Sequence, residues 1–156
     1  MYSFAYVKAG SLKEVSAFLQ SNPEARPLAG GMTLIPTLKA RLAQPSHLVD
    51  ISGLKELSGI EVEGSTLKVG AGSRHFDVMR SDTVRKAIPA LADLAGHIGD
   101  PAVRNLGTIG GSVANNDPAA DYPAAVLGLG ATITTNKRKI EADAYFKGLF
   151  ETALQP

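Results

Sequence analysis

The chain has 156 residues and no cysteine, enough for one domain or two small lobes with a real core, and without a disulfide framework, a thiolate zinc site or an iron–sulfur cluster of its own. Sixteen Lys and Arg against fifteen Asp and Glu leave a net charge of +1, which gives nucleic acid or an anionic membrane no electrostatic claim on the surface. With 44% hydrophobic and 20% charged residues the chain is globular; no apolar run approaches the ~18 residues of a membrane span, and residues 1–8 show no secretion signal, so the cytoplasm is the expected compartment.

Residues 4–8 read as a short strand. Ser11 is placed as an N-cap, with Glu14 completing a capping box. Leu12, Val15, Phe18 and Leu19 share one helical face, which Asn22-Pro23 ends. Residues 26–29 read as a buried strand, followed by Gly30-Gly31-Met32-Thr33. Helical spacing resumes over 34–42, with Pro36 admissible in a first turn. Residues 47–51 give the next strand. This β-α-β-α-β opening predicts a small, mostly parallel sheet covered by helices.

From Ser52 the pattern changes. Residues 59–63 and 66–69 alternate around the hairpin signal Glu63-Gly64-Ser65. Ser73 is expected to cap a helix through Met79, and 84–95 read as helical but divided by Pro89. Residues 96–120, rich in Gly, Asn, Asp, Pro and Ala, read as one long loop of the kind that carries function. A short helix over 122–129 follows, then a hairpin of 131–135 with 139–142 across the basic turn at 136–138. The chain stops at Gln155-Pro156 with no closing element. The expected fold is α+β in two lobes: a mostly parallel lobe over 1–54 and a larger lobe over 55–156 with an antiparallel sheet, C-terminally incomplete.

Two loops have the composition that phosphate binding requires, since backbone amides reach a phosphate only where side chains do not intervene. They are Pro27-Leu28-Ala29-Gly30-Gly31-Met32-Thr33 and Gly107-Thr108-Ile109-Gly110-Gly111-Ser112, each with a hydroxyl just after a Gly-Gly pair. Familiar phosphate motifs fail: no Gly-Lys pair exists for a Walker A loop, and Gly70-x-Gly72 meets His75 where a third glycine belongs. A Gly-Gly pair is equally an ordinary turn. On spacing alone the loops are either two turns or the two sides of a diphosphate site between lobes. Asp117 and Asp121 read as helix or turn starts, or as ligands for ring or ribose hydroxyls. His47, His75 and His97 lie too far apart for metal spacing. Ser73, Ser81 and Ser112 lack a nucleophile-elbow context.

The same loops carry a resemblance. Pro27-Leu28-Ala29-Gly30-Gly31-Met32-Thr33-Leu34 is one matching stretch. The other runs from Asp100 through Arg104-Asn105-Leu106-Gly107-Thr108-Ile109-Gly110-Gly111-Ser112 to Ala114, followed by Asp117-Pro118-Ala119-Ala120-Asp121. Together they resemble the FAD-binding medium subunit of molybdenum hydroxylases, of the carbon monoxide dehydrogenase and xanthine dehydrogenase types. The likeness extends over essentially the whole chain.

The resemblance implies a two-lobed FAD-binding fold of the PCMH/vanillyl-alcohol-oxidase-like type, with FAD between the lobes. It implies an oxidoreductase subunit that passes electrons from the 2Fe–2S clusters of a small partner subunit, fed by a large molybdopterin subunit, to an external acceptor. The assembly it implies is a dimer of heterotrimers. It further implies that Leu28, Ala29, Gly30, Gly31, Met32 and Thr33, with Thr108, Ile109, Gly110, Gly111 and Ser112, cradle the diphosphate through amides and hydroxyls. Asn115 would sit near the ribityl chain or diphosphate, and Asp121 near the flavin ring or ribityl hydroxyls. Arg104 and Asn105 would shape the loop. No residue is implied as general acid, general base or metal ligand. Met32 stands where some relatives carry a polar residue. Set against the resemblance, the chain is expected to be the N-terminal portion of such a subunit, without the family's C-terminal domain, and no cysteine-rich insertion marks the benzoyl-CoA-reductase branch. Two further readings stand beside this one: a cofactor-free docking module of the same complex, and a stand-alone flavin-dependent reductase.

Overall fold

The computed structural model describes residues 1–154; Gln155-Pro156, where the sequence suggests an unfinished lobe, lie outside the described residues. The first lobe runs β1 (Ala5–Lys8), α1 (Leu12–Ser21), β2 (Arg26–Leu28), α2 (Leu34–Lys39), β3 (His47–Asp50). Its three strands are parallel, in the order β1-β3-β2. The expected β-α-β-α-β order and mostly parallel sheet are therefore present.

Register sets its faces. Tyr6 and Arg26 both align with Leu48, while Val7 and Pro27 align with Val49. On the Val49 face Ala9, Val15, Ala25, Val49 and Leu54 are buried and Phe18 and Leu19 of α1 pack over them, while Leu48 on the opposite face is buried as well. Helix α1 begins as expected, with Ser11 Oγ accepting the Glu14 amide at 3.2 Å. The reciprocal arm is displaced by one residue: Glu14 Oε2 accepts the Gly10 amide at 2.8 Å. Helix α2 ends at Lys39, short of the expected residue 42, because Arg41 turns into the left-handed region at φ 59°.

The second lobe opens with a single 3₁₀ turn (Lys55–Leu57) and the hairpin β4 (Ile60–Glu63) and β5 (Thr66–Val69). Glu63 pairs with Thr66, so the turn has two residues, and Gly64 takes φ +61° as such a turn demands. Six helices follow: α3 (His75–Arg80), α4 (Asp82–Ala87), α5 (Pro89–His97), α6 (Pro101–Leu106), α7 (Ile109–Asn115) and α8 (Asp121–Gly128). The lobe closes with β6 (Thr132–Thr134), β7 (Lys139–Glu141), α9 (Ala142–Tyr145), β8 (Phe146–Gly148) and β9 (Glu151–Thr152). Its core joins Val78, Val84, Leu91, Ala95, Val113, Tyr122, Ile140 and Tyr145.

The fold is α+β, and four expectations change in detail. The antiparallel strands form three separate two-stranded hairpins instead of one sheet. The supposed long loop over 96–120 contains α6 and α7. Asp100 starts α6 by accepting the Val103 amide at 2.9 Å, with Pro101 at the first helical position, where its missing N–H is harmless. Thr108 starts α7 by accepting the Gly111 amide at 3.1 Å. Ser73 does not cap α3. Its hydroxyl donates to the Gly59 carbonyl at 3.4 Å, and Arg74 takes the cap position, with its Nε bonded to Asp77 at 2.8 Å. Asp121 caps nothing; it is the first residue of α8 after Ala120. The break at Pro89 is confirmed, with α4 and α5 meeting there.

Candidate functional site: two glycine loops at the seam between the lobes

The first loop leaves β2 at Leu28, on the carboxyl edge of the parallel sheet, and enters α2 at Leu34. Gly31 has φ +71°, and its carbonyl accepts the Ile35 amide at 2.9 Å. Thr33 occupies the cap position of α2 without a side-chain cap bond. Among the described residues, the amides of Gly30, Gly31, Met32 and Thr33 donate to no protein acceptor. Four successive unpaired amides leading into a helix form a concavity suited to an anion.

The second loop is built differently. Its backbone is zipped to residues 71–75, with the His75 amide donating to Gly107 O at 3.0 Å and the Ile109 amide to Ser73 O at 3.0 Å. Arg74 and Thr108 thereby form an antiparallel bridge. The Gly110 amide donates to Ala71 O at 2.9 Å and the Ser112 amide to Thr108 O at 3.0 Å. With Gly111 bonded to the Thr108 hydroxyl, the amides of 109–112 are all committed within the protein. The expectation of an amide cradle on both sides therefore changes. On this side the groups without a protein acceptor are the Thr108 amide and the Ser112 hydroxyl.

The glycines explain how the loops meet. A Cβ at Gly30 would lie 1.9 Å from the Leu106 carbonyl oxygen and 2.9 Å from Gly107 Cα. The lobes thus touch backbone to backbone, and only glycine fits at residue 30. A Cβ at Gly110 would lie 2.5 Å from the Ala71 Cβ, which seats α7 on the β5–α3 turn. Gly70, dismissed above as part of a failed dinucleotide fingerprint, lies against the Leu57 carbonyl, where a Cβ would approach to 2.5 Å.

The remaining expected site residues separate. Asn115 ends α7, half-buried, and Asp121 is exposed at the start of α8; neither side chain has a hydrogen-bond partner among the described residues. Asp117 forms an Asx turn, accepting the Ala119 amide at 2.9 Å. Arg104 is taken up locally, donating to the Ile98 and Gly99 carbonyls at 3.1 Å each, and Asn105 donates to Pro101 O at 2.6 Å. Arg104 thus ties α6 to the turn before it, and Asn105 bonds within α6. Among the described residues no group of His, Cys, Asp or Glu side chains is arranged for a metal.

Three contributors escaped the sequence. Asn116 adopts φ 47° at the end of α7, and its Nδ2 donates to Gly148 O at 2.7 Å and Glu151 O at 2.9 Å. Its carbonyl accepts the Phe150 amide at 3.1 Å, so it straps the β8–β9 hairpin to α7. His75 and Tyr122, 5% and 0% exposed, meet beneath Gly107 with ring centroids 5.3 Å apart. Burial lowers the His75 pKa below 6.5 and raises that of Tyr122. The cluster Asn115-Asn116 was the only local signal for the strap, and nothing in the sequence pairs residue 75 with 122.

Residues 2–156 match the family described as the FAD binding domain in molybdopterin dehydrogenase. The chain belongs to that family. Within it, the chain is 41% identical over 153 residues to the glyceraldehyde dehydrogenase medium chain of Sulfolobus acidocaldarius, covering 96% of this chain and 54% of that one. It is also 41% identical over 157 residues to the carbon monoxide dehydrogenase medium chain of Hydrogenophaga pseudoflava, covering 97% and 55%. The carbon monoxide dehydrogenase structure from that organism, lacking the Mo-pyranopterin moiety, superposes with a TM-score of 0.95 at 40% identity over 99% of this chain and 55% of that one. Quinoline 2-oxidoreductase from Pseudomonas putida 86 superposes equally well, with a TM-score of 0.95 at 39% identity, covering 99% of this chain and 55% of that one. The chain spans about half the length of the curated relatives it matches. FAD is the cofactor of this family of domains, and the residues at the seam fit it through the run of amides at 30–33 that have no protein acceptor among the described residues and suit a diphosphate.

Proposed function

We propose that the chain holds FAD across the seam between its lobes, as the flavin-bearing part of a molybdenum hydroxylase. The amides of Gly30, Gly31, Met32 and Thr33 hold the diphosphate. Leu28 and Ala29 lead the backbone into that cradle. From the other side Thr108 and Ser112 contribute the amide and hydroxyl left over by the zipped loop, with Ile109, Gly110 and Gly111 as its backbone wall. Asn115 and Asp121, whose side chains lack protein partners, address the ribityl hydroxyls or the ring.

Bound FAD supplies redox chemistry able to exchange electrons both singly and in pairs. The chain's own part is to bind, orient and shield, and no side chain at the seam is arranged as a general acid or base. The relatives' names place medium chains in carbon monoxide and glyceraldehyde dehydrogenases. By extension, the partners here are a small iron–sulfur subunit and a large molybdopterin subunit, as a dimer of heterotrimers in the cytoplasm. The electrons go on to an external acceptor.

The observation that carries this reading is the run of unpaired amides at 30–33 lying against the Leu106–Gly107 backbone. Its test is reconstitution with FAD, read by the flavin absorption bands and by quenching of flavin fluorescence. Stoichiometric flavin is expected. A protein extended to the length of its relatives that retains none after gel filtration overturns the reading.

A further inference from the structure

The second glycine loop rests on an imidazole. A Cβ on Gly107 would lie 2.5 Å from His75 Nε2 and 2.9 Å from Cδ2, so the loop backbone lies directly on the ring. The backbone of His75 also holds the loop, donating to Gly107 O at 3.0 Å. Beneath the ring lies Tyr122, tilted by 39°. Both side chains are more than nine-tenths buried, and neither His75 Nδ1 nor the Tyr122 hydroxyl has a hydrogen-bond partner among the described residues. A buried polar atom left unpaired is destabilising, and a leucine or phenylalanine would fill the same space without that penalty. Two such atoms on neighbouring rings, directly under the second glycine loop, point to a role beyond packing.

We infer that His75, buried between Gly107 and the Tyr122 ring, is a positioning residue for the second glycine loop, and that protonating its imidazole releases the loop. The ring is a flat neutral support only while uncharged. A second proton puts a full positive charge where no carboxylate answers it. The ionisable groups on the surrounding elements are Asp77 and Arg80 on α3, Asp82, Arg85 and Lys86 on α4, Asp93 and His97 on α5, Arg104 on α6 and Asp121 on α8. None of them forms a hydrogen bond or ion pair with the His75 side chain among the described residues, and burial holds its pKa below the ordinary value. Asp77 is engaged by Arg74, and Arg104 by the carbonyls of residues 98 and 99. The charged ring can lower its energy only by moving toward water, which lifts the loop from its seat. The part of this inference that concerns cofactor affinity rests on the FAD reading above; the part that concerns the loop does not.

The test is amide hydrogen exchange of residues 107–112, with rates corrected for the intrinsic pH dependence, at about pH 7.5 and about pH 5.5, which bracket an ordinary imidazole. In the unaltered protein, protection of this segment is expected to fall several-fold, and by no more than about tenfold, at the lower pH, while that of β1 stays constant. His75→Gln, which keeps the ring's approximate size without its titration, is expected to abolish the difference. Should that variant fail to fold, a proton NMR titration of His75 in the unaltered protein replaces it. The amide shifts of 107–111 must then follow the same midpoint as the ring. Equal protection at both pH values, uniform loss across the whole chain, persistence of the effect in His75→Gln, or separate midpoints each overturn the inference. FAD titration at the same two pH values distinguishes the layers. Weaker FAD binding at the lower pH accompanies loop release, whereas no FAD binding at either pH defeats the cofactor reading and leaves the exchange result to decide the loop.

Discussion

The two glycine loops look alike in sequence and work by opposite means. The first keeps the amides of 30–33 free of protein acceptors and is shaped by one left-handed residue, Gly31. The second commits the amides of 109–112 internally, to Ala71, Ser73 and Thr108, and is rigid for that reason. Glycine serves close packing in both loops, at Gly30 as at Gly107 and Gly110, but only the first loop also leaves its amides available. The comparison teaches that a Gly-Gly pair followed by a hydroxyl reports only that the backbone comes close to something. Whether that something is a ligand or the protein itself depends on where the N–H groups go.

The largest expected effect is at the contact between the loops. Gly30→Ala places a methyl 1.9 Å from a backbone oxygen that has no rotamer to move. It is expected to destabilise by at least ~3 kcal/mol, the upper end for overpacking, and to remove FAD binding. Urea unfolding and a flavin titration check this, and a variant of unaltered stability would mean the lobes are not in contact there.

Next comes Asn116→Ala, which loses two side-chain donors and puts alanine at φ 47°. A loss of about 2 kcal/mol is expected from the combined hydrogen bonds and left-handed backbone. Asn116→Gly should recover the backbone share alone, readable as a partial return of the melting temperature.

The hydroxyl pair sharpens the contrast directly. Thr108→Ala removes a helix cap and is expected to destabilise by about 1 kcal/mol. Thr33 caps nothing and is exposed, so Thr33→Ala should change stability by less than ~0.5 kcal/mol. It should still weaken FAD binding roughly fivefold, as loss of one net hydrogen bond would. If the two variants destabilise equally, the asymmetry between the loops is wrong. A small effect is also expected at Gly111, where an added methyl meets only the Thr108 hydroxyl, at 2.9 Å. Gly111→Ala gains helix propensity against that contact and should fall within ~1 kcal/mol of the unaltered protein.

Much of the first lobe was legible because its strands and helices obey local rules: apolar spacing in α1, Ser11 before it, Asn22-Pro23 after it. The stretch 96–120 was not legible. Gly110 and Gly111 are poor helix formers, and only the seat of Gly110 on Ala71, a tertiary contact, makes helix the better choice. The site was legible as two loops through resemblance, yet its division of labour was not. Hydrogen bonds from 109 and 110 to 73 and 71 are invisible until the β5–α3 turn is folded beneath them. The same holds for His75, which as a solitary histidine in sequence carries no pattern that distinguishes it from an ordinary core residue.

The contact of residue 30 with Leu106 and Gly107 has a mechanical consequence. Joints made by side chains can be loosened or re-aimed by changing a rotamer or trimming a methyl, which is how many proteins acquire hinges. Here the closest approach is main chain on main chain, so its spacing is fixed by covalent geometry. A cleft anchored in this way admits its guest from the rim rather than by jaw-like opening. Exchange of the cofactor is then expected to be slow, governed by peeling of the guest and not by motion of one half against the other.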